Sequence, residues 1–155
     1  MTNKDYKTLA RFVVEGVPVP LKRHRDTTII NRKTGKANRV KYDPSSEDKK
    51  NFLLKCLAAT KPPKVYDVPL RLVIVFFMPR PKSHYGTGKN AGKLKDSAPV
   101  NHTSKPDLDN LIKFVKDALN GKYWTDDSII STVIATKVYS NEPKTRIIIK
   151  QDFLT

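Results

Sequence analysis

Apolar residues form four short runs with the length and composition of β-strands. The first run, Leu9 to Glu15, is followed by Gly16 and two prolines, which place its continuation at an edge or a turn. Leu70 to Phe77 is apolar and β-branched, with no polar alternation after its second residue, which predicts a central strand covered on both faces. Ile129 to Tyr139 and Thr145 to Phe153 are joined by Ser-Asn-Glu-Pro, which predicts a closing antiparallel hairpin.

Two further segments repeat apolar residues at the helical period. Asp43 and Pro44 form an N-cap and first-turn pair, and apolar residues recur from Phe52 onward, which predicts a helix over Pro44 to Ala59. In the second segment the apolar positions are 108, 111, 112, 115, 118 and 119, and Gly121 follows them. The chain length predicts one domain, which these elements supply with several strands and two main helices.

Two basic segments lie between these elements. From Lys22 to Lys41 eight Lys and Arg residues stand against Asp26 alone, and Thr34 with Gly35 indicates the tip of a hairpin or ribbon outside the core. Residues 79 to 105 contain six Lys or Arg against one Asp, and almost no large apolar residues. This composition predicts a mobile basic loop at about residues 80–105 of a single domain spanning 1–155.

Charge indicates the kind of partner. The 155 residues include 30 Lys plus Arg and 15 Asp plus Glu, a formal charge of +15. Such a charge favours a polyanionic partner, nucleic acid first and an anionic membrane second, because neutralising phosphates releases counterions. The 22 Lys outnumber the 8 Arg, which favours recognition of backbone or shape over base reading. The alternative is a soluble surface that is merely basic.

Several classes of protein are excluded by the same sequence. The apolar run from Leu72 to Met78 is too short to cross a bilayer, so a transmembrane protein is not expected. The first residues contain no apolar stretch, so we expect no secretory signal and a cytoplasmic or nucleoid-associated protein, a location that also suits a phage-encoded one. Cys56 is the single cysteine, which excludes an intrachain disulfide and a Cys-based zinc site.

Acidic residues cluster within this basic chain, since five of the 15 fall within 21 consecutive positions. They are Asp107, Asp109, Asp117, Asp126 and Asp127. The first two flank the start of the second predicted helix and the last two follow its end, so the pairs meet only if the turn folds back along the helix. Two carboxylates about 5 Å apart repel each other by roughly 3 kcal/mol at an effective dielectric of about 20, which calls for a cation between them. Mg²⁺ prefers such oxygen ligands beside phosphates, so the cluster indicates a metal-dependent nuclease.

Each site residue also has a structural interpretation. Asp107 and Asp109 can cap the helix or complement its dipole, and Asp126 and Asp127 can be ordinary turn residues. Lys113 can be a surface ion-pair partner, or can orient a carboxylate or stabilise charge on a phosphate.

Aromatic and histidine residues give weaker signals. Trp124 is predicted to pack over the helix end rather than to stack on a base. The three His residues lack metal-ligand spacing, although His102 can approach a phosphate. Tyr85, next to His84 in the basic loop, is either a stacking partner for an unpaired base or a disordered loop residue.

Three consecutive motifs resemble one family. The motif Lys105-Pro-Asp-Leu-Asp-Asn-Leu-Ile-Lys113 is followed by Asp117-Ala-Leu-Asn-Gly121 and by Trp124-Thr-Asp-Asp-Ser128. Their order and spacing resemble the signature of the RusA-like Holliday junction endodeoxyribonucleases, and Met78 to His84 and Lys137 to Tyr139 are similar to the same family. The resemblance covers residues 68–150 well and the N-terminal third loosely.

The resemblance implies a small RusA-like α+β homodimer, in which a mixed sheet is packed by two main helices. It also implies that the protein resolves four-way DNA junctions by paired symmetric nicks, using Mg²⁺, for which Mn²⁺ substitutes. It assigns catalysis to Asp107, Asp109, Asp127 and Lys113, with Asp126 as a neighbouring metal ligand. The basic residues expected to contact branched DNA are Lys22, Arg23, Arg25, Arg80, Lys82, Lys89, Lys93, Lys95 and Lys105. Two alternatives stay open: a non-catalytic architectural DNA-binding protein of this fold, whose binding would be indifferent to Mg²⁺, and a basic RNA-binding protein.

Overall fold

A four-stranded sheet with two helices forms the fold in the computed structural model, which describes residues 6–153. The elements in chain order are β1 (Tyr6–Glu15), β2 (Arg25–Ile30), β3 (Ala37–Tyr42), α1 (Ser46–Ala59), β4 (Leu70–Pro79), α2 (Leu108–Leu119), β5 (Ile130–Ser140) and β6 (Lys144–Asp152). The sheet has the order β1-β6-β4-β5, with β6 antiparallel to both neighbours and β4 parallel to β5. The predicted α+β class and mixed sheet are therefore confirmed.

The closing antiparallel hairpin predicted for the last two strands is wrong. β4 lies between β5 and β6, so the Ser-Asn-Glu-Pro connection crosses the end of β4 instead of making a tight turn. The physical reason is burial, because β4 contains the longest apolar run of the chain. In this position its backbone forms hydrogen bonds with a neighbouring strand on each side. No residue of β5 is fully buried, which suits an edge strand.

The core lies on one face of the sheet. Leu70, Leu72, Ile74, Phe76 and Met78 of β4 are buried, whereas the residues between them are only partly covered, so the expectation of full cover on both faces is wrong. The predicted apolar face of α2 packs on the buried face through residues 111, 115 and 119. Alternation of this kind is typical of a sheet that carries helices on one side.

The start of α1 differs from the sequence prediction. Ser45, not Asp43, occupies the N-cap position, and the helix begins at Ser46. Asp43 instead accepts a hydrogen bond from the Ser45 amide at 2.9 Å and forms an ion pair with Lys49 at 2.5 Å. This Asx turn competes with capping for the same carboxylate. The Lys49 hydrogen bond keeps the pKa of Asp43 below its usual range.

The single cysteine lies on the side of α1 that packs into the core. Cys56 is fully buried, and burial raises the pKa of its thiol to about 12. A thiol with so little thiolate is a poor nucleophile, so Cys56 acts as a small apolar side chain.

The basic segment before α1 forms the predicted hairpin. β2 and β3 pair antiparallel as a separate two-stranded sheet, and the amide of Asn31 donates to the carbonyl of Lys36 at 2.9 Å across its end. Gly35 has a φ of +69°, which favours glycine at this tip.

The basic loop between β4 and α2 is attached to β5. The amides of Tyr139 and His102 donate to the carbonyls of Val100 and Lys137, and Arg80 donates to the carbonyl of Pro99 at 2.8 Å. Two short 3₁₀ turns, Lys82–His84 and Gly88–Asn90, lie within the loop. These contacts anchor both ends of the loop, and the mobility of its remaining part stays a prediction.

Within residues 6–153, no helix has the length and apolar character needed to cross a membrane.

Candidate active site

An open pocket of about 360 Å³ lies beside the N-terminal end of α2. We call it the acid pocket. Its lining residues are Leu21, Lys22, Arg23, Asp107, Asp109, Asn110 and Lys113. The structure therefore brings together five of the predicted site residues, two acidic and three basic, from distant parts of the sequence.

Two hydrogen bonds place the basic wall of the pocket against α2. The amide of Leu21 donates to the carbonyl of Asn110 at 3.0 Å, and the amide of Lys22 donates to Ser45 Oγ at 2.9 Å. Ser45 is fully buried, so this anchor is part of the folded core. Lys22, which is one of the predicted phosphate contacts, also forms an ion pair with Asp48 of α1 at 3.5 Å.

Asp107 occupies the N-cap position of α2, but its side chain makes no capping hydrogen bond. Its Oδ1 accepts from Lys105 Nζ at 2.7 Å, and half of the side chain is exposed. The hydrogen bond and charge of Lys105 lower the pKa of Asp107, and the more distant charge of Lys137 adds to this shift. The capping interpretation thus fails for this carboxylate, which stays ionised and open to a ligand.

Lys137 of β5 supports the segment that carries Asp107. Its Nζ donates to the carbonyls of Ser104 and Pro106 at 2.8 and 2.7 Å. No role for this lysine is predicted from the sequence, because only the folded backbone places those carbonyls beside it. In the sequence, the only indication of such a role is that the segment from Lys137 to Tyr139 resembles the family that the three motifs indicate.

Asp109 and Lys113 form an exposed ion pair one helical turn apart. Asp109 Oδ2 lies 3.4 Å from Lys113 Nζ, and 65% and 60% of the two side chains are exposed. Such a pair stabilises a helix by only about 0.2–0.5 kcal/mol, so either partner is free to change its contact when a ligand arrives. The geometry thus satisfies the ion-pair interpretation and also leaves both groups at the acid pocket.

The second acidic pair makes local contacts at the other end of α2. Asp126 accepts from the amide of Ser128 at 3.0 Å, and this hydrogen bonding lowers its pKa. Asp127 accepts from Trp124 Nε1 at 2.8 Å. The turn interpretation therefore describes Asp126, and the indole contact of Asp127 was not foreseen. Trp124 is fully buried, which confirms its predicted packing role.

The two acidic pairs do not meet within one chain. α2 has 12 residues, which span about 18 Å. β5 runs back alongside α2, since Lys137 of β5 contacts the segment before the helix. Asp127 precedes Ile130, the first residue of β5, and the strand covers about 23 Å between Ile130 and Lys137. Across residues 6–153, no group of three or more His, Cys, Asp or Glu side chains is arranged to hold a metal ion. The condition under which the two pairs would meet is therefore not fulfilled within the described part of one chain, and the roles of the four carboxylates stay predictions.

The acid pocket alone still has the donors that a magnesium ion uses. Mg²⁺ commonly keeps several waters and is held by one or two carboxylates together with substrate phosphates. Asp107 and Asp109 supply two exposed carboxylates, and Lys22 and Arg23 lie where they can neutralise a phosphate. The donor chemistry fits Mg²⁺ or Mn²⁺ with part of its coordination open.

The other predicted DNA contacts lie outside the pocket. Lys82, Lys89, Lys93 and Lys95 are exposed along the basic loop. Arg80 is partly covered and contacts Pro99 and His84, so it supports the loop as well as carrying charge. The remaining two are Arg25, the exposed first residue of β2, and Lys105, which pairs with Asp107.

Two loop residues have structural contacts that the sequence analysis did not foresee. His102 is buried against the ring of Tyr139 at 4.7 Å, and burial lowers its pKa, which makes it a poor phosphate contact. Tyr85 donates a hydrogen bond to Asn141 and is neither free nor isolated.

Removing Lys105 is expected to raise the pKa of Asp107. In the native protein the lowered pKa keeps this carboxylate charged at acidic pH, and Lys105→Met removes the main cause of that shift. Titration of the Asp107 carboxyl carbon by NMR should show its midpoint moving to higher pH. Lys89→Met, a loop variant distant in sequence from the acid pocket, should leave the midpoint unchanged. An unchanged midpoint in Lys105→Met would contradict the assigned cause.

Comparisons with known proteins show the family of the chain. The family model described as "Endodeoxyribonuclease RusA" matches residues 15–150 of the chain. The chain is also 30% identical over 141 residues to "Uncharacterized protein YqaN" of Bacillus subtilis (strain 168), covering 91% of this chain and 95% of that protein. The family match spans the acid pocket, α2 and the strands around it. The chain therefore belongs to the RusA endodeoxyribonuclease family.

Proposed function

We propose that this protein is a metal-dependent, structure-specific endodeoxyribonuclease that resolves four-way DNA junctions by paired symmetric nicks. The observation that carries the proposal is the acid pocket, in which two exposed carboxylates are surrounded by basic side chains on a chain of charge +15. Carboxylates weaken phosphate binding unless a cation joins them, so their place within a basic surface supports a metal-assisted reaction on DNA.

Each pocket residue has a role in this proposal. Asp107 and Asp109 would hold Mg²⁺, or Mn²⁺ in its place, which when bound polarises the phosphodiester and makes a water more acidic. Lys113, already 3.4 Å from Asp109, would neutralise charge that develops on the phosphate. Lys22 and Arg23 would hold the flanking backbone. The expected products carry 5′-phosphate and 3′-hydroxyl ends.

A homodimer would give Asp127 a place in this reaction. One chain keeps Asp127 at the opposite end of α2 from Asp107, so it can reach an acid pocket only if a second copy presents it. A two-fold dimer would then contain two equivalent composite sites, one for each of two symmetric strands of a junction. Asp126 and Asp127 each accept one local hydrogen bond, from the Ser128 amide and from Trp124 Nε1, so Asp126 is a second candidate for the same place.

The first test is incubation of the protein with a labelled mobile four-way junction, with Mg²⁺ or with EDTA. Symmetric nicks whose products can be religated, formed only with the metal, are the expected result, because only resolution at equivalent positions leaves ligatable ends. Linear duplex DNA of the same sequence is the control substrate. Tight junction binding without cleavage in either Mg²⁺ or Mn²⁺ would contradict the proposal.

One observation favours a second function, a non-catalytic architectural DNA-binding protein. No three-carboxylate group forms within the described part of one chain. In that case the protein binds junction DNA equally well with Mg²⁺ and with EDTA, and it remains a monomer or a dimer without composite sites. A comparison of affinity for junction DNA and for structured RNA separates both DNA functions from RNA binding.

A further inference from the structure

The β2–β3 hairpin is a complete ribbon that no other part of residues 6–153 covers. Six cross-strand pairs run from Arg25 and Tyr42 at its base to Ile30 and Ala37 near its tip. All twelve residues of the two strands are exposed on both faces. An isolated two-stranded sheet is only marginally stable in water, so this hairpin gains order when a partner packs on it.

Its charge indicates the chemistry of that partner. The basic residues of the hairpin are Arg25, Arg32, Lys33, Lys36, Arg39 and Lys41, against Asp26 alone. None of the six forms an ion pair with any residue in the range 6–153. A second copy would present the same charge and be repelled, whereas a phosphate backbone is complementary.

The kind of basic residue differs between the hairpin and the loop. The hairpin contains three of the eight Arg residues of the chain beside three Lys, whereas the long loop between β4 and α2 contains five Lys and a single Arg. Arg reads guanine N7 and O6 through two parallel hydrogen bonds, whereas Lys acts mainly as a point charge for phosphate. The hairpin is therefore the part of this chain best suited to contact base edges.

The two faces of the ribbon are unlike. The register puts Thr28, Ile30, Arg39 and Lys41 on one face, together with Asp26 and Ala37. The other face carries three larger apolar or aromatic residues, Ile29, Val40 and Tyr42, together with Arg25, Thr27 and Asn38. A face that mixes cations with small apolar groups can contact phosphates at its margins, and hydrogen-bonding atoms and thymine methyl groups at its centre.

The base of the hairpin is fixed beside the acid pocket. The chain enters it from Lys22 and Arg23, which line that pocket, and leaves it at Asp43, which is held by Lys49 of α1. The arm is therefore held at its base and exposed along its whole length. DNA with a phosphate at the acid pocket would bring its flanking duplex to the arm.

We propose that the β2–β3 hairpin is a groove-binding arm that inserts into the major groove of double-stranded DNA flanking the acid pocket. Its paired strands lie about 4.8 Å apart, and a two-stranded ribbon fits a major groove about 12 Å wide. That this duplex lies next to a cleaved strand rests on the proposed nuclease function, whereas insertion of the arm into duplex DNA does not.

Binding to a duplex DNA in EDTA, measured over a range of salt concentrations, tests this arm without any cleavage. The variant Arg32→Gln/Arg39→Gln/Lys41→Gln removes three charges from exposed positions of the hairpin. The matched control, Lys7→Gln/Lys61→Gln/Lys64→Gln, removes three exposed charges from β1 and the segment after α1. Dimethyl sulfate protection of guanine N7 reports contacts in the major groove, and sedimentation reports the oligomeric state.

The hairpin variant should show a slope of log affinity against log salt that is flatter by about 2.7, and about hundredfold weaker binding at 0.15 M salt. It should also lose N7 protection in the flanking duplex, while the control keeps both properties. Equal slopes and equal N7 protection in all three proteins would overturn the arm, as would absence of duplex binding by the unmodified protein. A change of oligomeric state with unchanged DNA binding would assign the hairpin to a second copy instead.

These outcomes are separable from those of the nuclease proposal. If the protein cleaves junctions but its binding to duplex DNA does not depend on the hairpin, only the proposal of the groove-binding arm is contradicted. If binding to duplex DNA depends on the hairpin but the protein never cleaves junctions, only the nuclease proposal is contradicted.

Discussion

Asp109→Asn is expected to bind four-way junctions normally and to cleave them on the order of a thousandfold more slowly. Loss of residues that merely support metal ligands costs about 10- to 100-fold, and a direct ligand should cost more. The substitution keeps the size of the side chain and removes the charge that faces the acid pocket, where 65% of the side chain is exposed. Single-turnover cleavage and junction affinity, both measured with Mg²⁺ at saturating protein, check the two halves of this result.

The control for this variant is Asp96→Asn, an equal charge change in the exposed basic loop. It should cleave at nearly the native rate. Loss of junction binding by Asp109→Asn with an intact fold would mean that the carboxylate acts in binding DNA, and the assignment as a metal ligand would be wrong.

Mixing two inactive variants shows whether one reaction site uses two chains. If Asp127 serves the acid pocket of its partner, a mixed dimer of Asp109→Asn and Asp127→Asn contains one site with both residues native and one with both replaced. Such a dimer should nick one strand, although each variant alone is inactive. If the residues act within one chain, both sites of the mixed dimer are damaged and no nicking returns. Exchange of subunits before the assay is verified with one chain carrying a size tag.

Local sequence patterns predicted the positions of helices and strands better than they predicted which strands are adjacent in the sheet. The helical spacing of apolar residues located α2 closely, because one face of that helix packs on the sheet along its whole length. The order of the strands was misjudged, since a short polar connection between Ser140 and Lys144 is equally compatible with a hairpin and with a crossing over β4. The pairing depends on which strand is most apolar across the entire sheet, and such a competition is not visible in any one segment.

The same distinction applies to the site. Asp107 and Asp109 were located from their place at a helix start, which is a local feature. Their neighbours Lys22 and Arg23 were identified only as basic residues, and their position at the pocket depends on the Leu21 and Ser45 hydrogen bonds to distant segments. Asp127 followed the motif in sequence but lies beyond the far end of α2, because it stands in the turn after the helix and the chain returns toward Asp107 only along β5.

Trp124→Ala is expected to lower the free energy of unfolding by about 3–5 kcal/mol, the usual cost of removing a fully buried large aromatic side chain. Trp124 is completely covered and stands in the turn that joins α2 to β5. Its neighbours in the chain are tied to Tyr66, whose amide donates to the carbonyl of Tyr123 and whose carbonyl accepts from the amide of Thr125. A cavity here therefore weakens the packing of α2 and the start of β5 together.

Urea unfolding followed by circular dichroism measures this loss, because Trp124 is the single tryptophan and its fluorescence disappears with it. Val100→Ala, at a site that is 67% exposed, is the control and should change stability by less than about 0.5 kcal/mol. Trp124→Phe helps to separate packing from positioning, since it keeps one aromatic ring in the core, at the cost of part of the indole volume, and removes the donor to Asp127. If Asp127 serves the reaction, this variant should retain most of its stability and cleave more slowly at unchanged junction affinity. A Trp124→Ala protein as stable as the native one would show that the turn is held by its backbone hydrogen bonds alone.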